Sequence, residues 1–338
     1  MGSKRPGIKD VAAHAGVSWK TVSNVVNDRP VVRPATRERV LEAIEALGYV
    51  PNVAGRQLRQ GTSRTVALVL PELSNPYFAR LAQAFQLEGL RRGRTVSIEL
   101  MDNDPDIERR YLEGRHARDF EAVVVSPTQL AVTQVHRQHS RTRLVLLGER
   151  PADGRVPHVM IDNVASTIDV MRHLVQSGRR RIGFIGAPET AGATTGSRRY
   201  DGYRTALRFA GMDTDSRLTR PGRAWDRSEG FRLAAELVGD GVEFDALVCA
   251  NDLLAIGACL ALTRAGLRIP GDVAVTGWDD IDEAAWAVPP LTTIAPDIDA
   301  LVTTAFDAAL IEDGSKIGGP EFIVPHRLMI RESSGPRE

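Results

Sequence analysis

From residue 66 onward the chain repeats a rhythm that few folds can satisfy: a short run of aliphatic residues, a stretch of helical periodicity, then another run. The runs are Val66 to Leu70, Val96 to Leu100, Ala122 to Val125 and Leu144 to Leu147, followed by Ile182 to Ile185, Ala246 to Cys249 and Val273 to Thr276. Strands joined by helical crossovers lie parallel, and a parallel sheet needs helices over both faces. The rhythm therefore specifies an α/β architecture, and its two groups, split near Asp162, predict two similar subdomains. Ligands of open parallel sheets lie beyond the carboxyl ends of the strands, so the residues just after each run are the candidates for binding.

The 64 residues ahead of this region differ in charge: eleven Lys and Arg against five Asp and Glu, a net +6 that leaves −6 on the rest of a formally neutral chain. A basic end on an acidic body suggests a polyanion-binding module, with a solvated basic tail as the plain alternative. The basic residues sit on a helical pattern, which favours the module. Ile8, Val11, Ala12 and Ala15 recur at helical spacing, and Gly16 with Val17 breaks the pattern. Ser18 stands where an N-cap belongs, and the next stretch buries Val22 with Val25 or Val26 while turning Trp19, Lys20, Ser23 and Asn24 outward. Pro34 opens a third helix through Val40, Leu41, Ile44 and Leu47, and Gly48 ends it. Three short helices around a small core suit a helix-turn-helix whose second helix enters the DNA major groove. A generic three-helix packing module has the same periodicity.

The wording of the segment separates the two. Ile8-Lys9-Asp10-Val11-Ala12, Ala15-Gly16-Val17-Ser18 and Thr21-Val22-Ser23-Asn24-Val25-Val26-Asn27 closely resemble the headpiece of the lactose-repressor/galactose-repressor (LacI/GalR) family. The resemblance continues through Gly48-Tyr49-Val50-Pro51-Asn52 and Asn75-Pro76-Tyr77-Phe78, and recurs at Asn251-Asp252, Gly277-Trp278-Asp279-Asp280 and Pro290-Leu291-Thr292-Thr293. It implies an all-α headpiece over residues 1–50, a hinge over 51–64, and an effector and dimerisation domain over 65–338. That last domain is expected to be periplasmic-binding-protein-like, with two α/β subdomains and crossovers near 290 and 320. Trp19, Lys20 and Asn24 fall on the positions that choose among operators; Asn24 replaces the Arg often found there. Ser18, Thr21, Ser23 and Asn27 look like structural or phosphate contacts, which position without specifying sequence.

Asn52 to Gln60 holds one apolar anchor, Leu58, beside Arg56, Gln57 and Arg59, before Gly61-Thr62-Ser63 loosens the chain. Such a segment is too short to be a stable helix alone. In the resembling family, paired hinge helices enter the minor groove and a Leu wedges a base step; Leu58 is the matching residue, with Asn52 and Arg56 alongside. Gly55 stands where the family has Ala, which weakens the isolated helix by about 1 kcal/mol.

The residues after the strand ends are Tyr77, Phe78, Ser126, Glu149, Asn251 with Asp252, and Trp278 with Asp279; Arg199 and Trp225 come from irregular stretches. Aromatic faces with Arg, Asn and Asp suit a sugar or nucleoside, whose ring stacks while its polar edge takes charge-assisted hydrogen bonds. The resemblance assigns Arg199, Trp225, Asn251 and Asp279 to effector positions. Asp252, Asp280 and Trp286 have the plainer expectation of capping helices or filling core. Residues 191–196 are small where purine-responsive relatives tend to carry an Arg, so a sugar is the first expectation and a purine or nucleoside the second.

No catalytic constellation survives its spacing requirements: there is no phosphate loop ending in Lys, no metal-protease helix and no dinucleotide glycine pattern. His136 and His139 lack a nearby third ligand and read as an exposed pair, not a metal site. Cys249 and Cys259 are too few for a disulfide framework and fit a reducing cytoplasm. The sequence lacks a signal-peptide core or a membrane-spanning run, which argues against a two-lobed solute-binding protein, the alternative of a different class. The expected partners are double-stranded DNA with a palindromic operator, a small-molecule effector and a second copy of the chain; no cofactor and no membrane are expected. The carboxyl end carries no heptad pattern, so a dimer without a tetramerising coil is expected.

Overall fold

A computed structural model describes residues 6–26, 29–49, 64–115, 119–128, 130, 143–148, 156–188, 194–311 and 320–335. The chain divides into two units, Met1–Ser63 and Arg64–Glu338.

The first unit has three described helices, α1 (Ile8–Ala15), α2 (Trp19–Val26) and α3 (Pro34–Leu47). Val11, Ala12, Ala15, Val22, Val25, Val40 and Ala43 close its core, with Ile8, Ile44 and Leu47 packed around them. Gly16 ends α1 in the left-handed conformation at φ 63°, where a Cβ would be strained, and the turn is closed by Val17 N–H donating to Ala12 O at 3.0 Å. Gly48 ends α3 in the same conformation, and Pro34 sits in its first turn. The sequence pattern is corrected at Leu41, which is 51% exposed. Helical phase decides this: Ala43 lies three residues beyond Val40 and takes the inward position, while Leu41 turns away.

The second unit has two six-stranded sheets. Sheet I contains β1 (Thr65–Leu70), β2 (Thr95–Leu100), β3 (Ala122–Val125), β4 (Arg143–Leu147), β5 (His158–Ile161) and β11 (Glu321–Val324), in the order β11-β5-β4-β3-β1-β2, every neighbour parallel. Sheet II contains β6 (Ile182–Ala187), β7 (Thr219–Pro221), β8 (Ala246–Cys249), β9 (Ala274–Trp278), β10 (Thr292–Pro296) and β12 (His326–Met329), ordered β12-β10-β9-β8-β6-β7. Only the β10–β12 pairing among these is antiparallel. All seven aliphatic runs form strands. Five further strands, β5, β7, β10, β11 and β12, escape that reading because most are short or mixed in polarity.

Both faces of sheet I are buried, as a parallel sheet requires. Along β1, Val66, Leu68 and Leu70 face one core with Phe85 and Phe306, while Ala67 and Val69 face another with Met101, Tyr111 and Leu112. The covering helices of sheet I include α4 (Pro76–Arg91), α5 (Pro105–Leu112) and α11 (Ile298–Leu310). Sheet II packs with α6 (Asn163–Gln176), α7 (Thr195–Phe209), α8 (Arg227–Gly239) and α9 (Asp252–Arg264), and α10 (Asp282–Trp286) follows β9.

The chain passes between the sheets three times, at Asp162, Asp297 and Pro325, each lying between consecutive elements of different sheets. Asp162 and Asp297 cap the helices that follow, accepting from Ala165 N–H and Ala300 N–H, both at 2.9 Å. Asp297 N–H donates to Pro325 O at 3.0 Å, which ties two of the crossings together.

Candidate functional site

In the first unit, α2 presents a polar face. Ser18 Oγ accepts from Thr21 N–H at 3.1 Å and lies 2.9 Å from Thr21 Oγ1, so these two hydroxyls are engaged in starting the helix. Val22 and Val25 point into the core. Trp19 is 57% exposed, Lys20 is exposed, and Ser23 and Asn24 are half-buried. Asn27, Asn52, Arg56 and Leu58 lie outside the described residues, as does the hinge.

In the second unit, the carboxyl ends of both sheets open onto one cavity of about 780 Å³, within the range of small-molecule sites. Tyr77, Phe78 and Ser126 line it from sheet I, and Arg199, Trp225 and Asp279 from sheet II. Six expected residues, scattered over two hundred positions, therefore share one space. Glu149 lies outside the described residues.

Asn75 caps α4 by accepting from Tyr77 N–H at 3.0 Å, which delivers Tyr77 and Phe78 in the first turn. Their rings meet edge to face with centroids 5.2 Å apart. Ser126 follows β3 and is held by its own N–H on Val69 O at 3.0 Å. On the other side, Arg199, expected in an irregular stretch, projects instead from the helix α7, which Thr194 caps by accepting from Ser197 N–H, and is only 6% exposed. Its Nε donates to Asn163 Oδ1 at 2.7 Å, one Nη donates to the Ala250 carbonyl, and its guanidinium carbon lies 4.0 Å from the Trp278 ring centroid. Trp278 is therefore the buried floor beneath Arg199. Trp225 stands 5.5 Å from the same guanidinium and lines the cavity directly.

Asp279 faces Arg199 with 3.8 Å between Oδ1 and Nη2, an ion pair too long for a hydrogen bond. Burial raises the Asp279 carboxyl to about 7, against the downward pull of Arg199. Its backbone is strained at φ 104°, held by Asp279 N–H donating to Ile294 O at 2.9 Å. Asp252, fully buried, is pushed well above the usual carboxylate range by burial and by neighbouring Asp279, and it accepts from Thr293 Oγ1 at 2.6 Å and Ile281 N–H at 3.0 Å. Gly277 makes room for it: a Cβ there would stand 2.2 Å from Asp252 Oδ1. The Gly277-Trp278-Asp279-Asp280 segment thus has a packing reason for its glycine and its tryptophan, and a ligand-facing group only at Asp279.

Asn251 does not line the cavity. It is fully buried, caps α9 by accepting from Leu254 N–H at 2.9 Å, and donates through Nδ2 to Trp225 O at 3.0 Å. It positions Trp225. Gly196 serves the same aromatic, because a Cβ there would come 3.0 Å from Trp225 Cζ2. Asp280 pairs with Arg331 at 2.7 Å, whereas Trp286, expected in the core, is 85% exposed. The cavity residues that the sequence reading missed include Asn103 and Asn163, with Thr128, Arg223 and Asp226 among other polar side chains of the lining. Asn103 sits just beyond β2 in a left-handed turn at φ 54°, and the rule of looking past each strand end would have found it.

Residues 7–52 match the model of bacterial regulatory proteins of the lacI family, and residues 171–334 match a periplasmic binding protein-like domain. The HTH-type transcriptional regulator RegA of Clostridium saccharobutylicum is 31% identical over 97% of this chain and 98% of its own length. A solved complex of the transcriptional regulator CelR with cellobiose is 31% identical, spans 97% of this chain and 100% of that one, and superposes with a TM-score of 0.72. The lac repressor dimer bound to operator and an anti-inducer, 24% identical over 98% of this chain and 100% of that one, shares the fold with a TM-score of 0.86. Among the described residues no helix is long and apolar enough to cross a membrane. With its helix-turn-helix head and its two-subdomain, periplasmic-binding-protein-like domain, this chain belongs to the LacI family of bacterial regulatory proteins and is a DNA-binding regulator of transcription, not an enzyme.

Proposed function

We propose that the chain is a cytoplasmic repressor that binds a palindromic operator as a homodimer and is controlled by a sugar held between its two subdomains. The observation that carries the sugar reading is the pairing of Arg199 with Asp279 across 3.8 Å, walled by Trp225, Tyr77 and Phe78. A sugar hydroxyl set between the two accepts from the guanidinium and donates to the carboxylate, while an aromatic face covers the apolar side of the ring. Ser126, Asn103 and Asn163 supply neutral donors and acceptors from the same walls. The cellobiose complex of CelR supports this choice of ligand. Glu149 is assigned to the site by its place just after the aliphatic run Leu144 to Leu147, and Asn251 acts by holding Trp225.

Residues 1–50 form the reading head, 51–64 the hinge, and 65–338 the effector and dimer domain. Trp19, Lys20 and Asn24 face the bases; Ser18, Thr21, Ser23 and Asn27 position the head; Asn52, Arg56 and Leu58 belong to the hinge. The dimer surface is built on apolar side chains that a lone chain leaves in water. Leu87 and Leu90 of α4 are 63% and 77% exposed, and Leu260, Trp286 and Val288 are 51%, 85% and 90% exposed. A two-fold pairing buries them, as self-complementary interfaces do.

Binding of the full chain to duplexes selected from a random library, repeated with sugars and nucleosides, tests the whole reading. An enriched palindrome whose occupancy falls with one sugar is the expected result. A response to a nucleoside alone overturns the sugar assignment, and mass measurement of a monomer overturns the dimer.

A further inference from the structure

We infer that each operator half-site carries a guanine read by Lys20 and, about two base pairs away, an adenine read by Asn24. The inference rests on the operator-binding reading above and goes beyond it by assigning bases to side chains.

The argument begins with what α2 has left to offer. Val22 and Val25 are committed to the core, and the hydroxyls of Ser18 and Thr21 to the helix start. Lys20 and Asn24, four residues apart, share the outward face. An ammonium is a donor without acceptors, so it discriminates best where the major-groove edge offers acceptors together. Guanine alone presents two, O6 and N7; adenine sets a donor beside its N7. A carboxamide has one donor side and one acceptor side, which matches adenine N7 and N6 in a single bidentate pair. Four residues of helix rise about 6 Å, while successive base pairs are about 3.4 Å apart, so the two contacts fall about two steps from each other.

Selection from a random duplex library with the full chain, followed by titration of single-base variants of the enriched site, tests this. The expected palindrome carries a guanine and an adenine about two steps apart in each half. Replacing that G·C pair by A·T weakens the wild-type protein about tenfold or more. The same change barely affects Lys20→Ala, and Lys20→Gln moves the preference at that position from guanine towards adenine. Asn24→Ala loses discrimination only at the adenine. Should the palindrome appear while Lys20→Ala loses affinity equally for every base, Lys20 is a phosphate contact and the assignment is overturned although the regulator reading stands. No enriched palindrome at all would overturn both. The gain of a new preference by Lys20→Gln separates base reading from a variant that merely folds poorly.

Discussion

Arg199 shows how a single side chain can be both buried and functional. Its Nε is tied to Asn163 and one Nη to Ala250, and its flat face rests on Trp278, so it enters the cavity in one fixed orientation beside Asp279. Arg199→Ala should abolish the effector response while leaving operator binding without effector intact; a retained response in a titration would move the pocket elsewhere. Asp279 gives a prediction in pH. Its carboxyl, raised to about 7 by burial, is protonated in the folded protein at pH values where the unfolded chain has already released the proton. Folding therefore binds a proton, and stability from this group falls as pH rises from the ordinary Asp range towards 7, by at most about 1.4 kcal/mol per pH unit, and is level above. Asp279→Asn removes that loss. Its melting temperature should gain on the wild type between pH 5 and 7 and then hold a constant margin; a margin independent of pH would mean that Asp279 is ionised throughout. Effector affinity of the wild type should fall in the same interval as pH is lowered, because the acceptor is lost.

The helices and strands differ in how plainly the sequence announces them. α1 to α3 were legible because their ends carry local signals, Gly16, Ser18, Pro34 and Gly48, each of which acts through its own backbone or cap. Ser18→Ala should therefore cost about 1 kcal/mol in the head alone, visible in thermal unfolding of the first unit. Six of the seven aliphatic strands were legible because their residues are buried on both faces, and β2, a largely half-exposed edge strand, because Val96, Ile98 and Leu100 alternate along it. β7 and β12 were not, since they lie at sheet edges where one flank needs no apolar residue. In the candidate site, motif positions were legible but side-chain directions were not: Asn251 and Trp278 belong to the motif, yet each turns into the core to hold a neighbour. Close approach between elements was also hidden. At the crossing of α8 and α9, a Cβ on Gly257 would stand 1.9 Å from Arg227 O, and one on Gly230 2.1 Å from Leu254 O. Gly257→Ala gains about 1 kcal/mol of helix propensity but forces two backbones apart, an overpacking that costs about 1–3 kcal/mol. Net destabilisation is expected, together with weaker effector binding because α8 begins immediately after Trp225. A variant as stable as the wild type would mean that the crossing yields freely.

At the scale of the second unit, the three crossings between subdomains leave them able to turn against each other, and something must set the angle. Among the described residues a hydrogen bond bridges them at the cleft edge: Arg80 of α4 donates through Nη1 to Asp280 O at 3.1 Å. The acceptor is itself fixed, since Asp280 is held in a left-handed turn at φ 50° and its carboxylate pairs with Arg331 at 2.7 Å. Asp280 adjoins Asp279, so the latch and the ligand group occupy the same strand-end turn. A ligand shifts such an equilibrium only by its differential affinity for the two arrangements. With the latch present, part of the work of joining the subdomains is already done; without it, the effector must supply all of it. Arg80→Ala should therefore weaken effector binding about two- to fivefold, the scale of one exposed charge-assisted hydrogen bond, without altering Asp279 or the operator-reading face. Calorimetric titration of the full chain measures this. Unchanged affinity would show that the bond carries no coupling, and tighter binding would show that Arg80 holds the arrangement the effector has to leave.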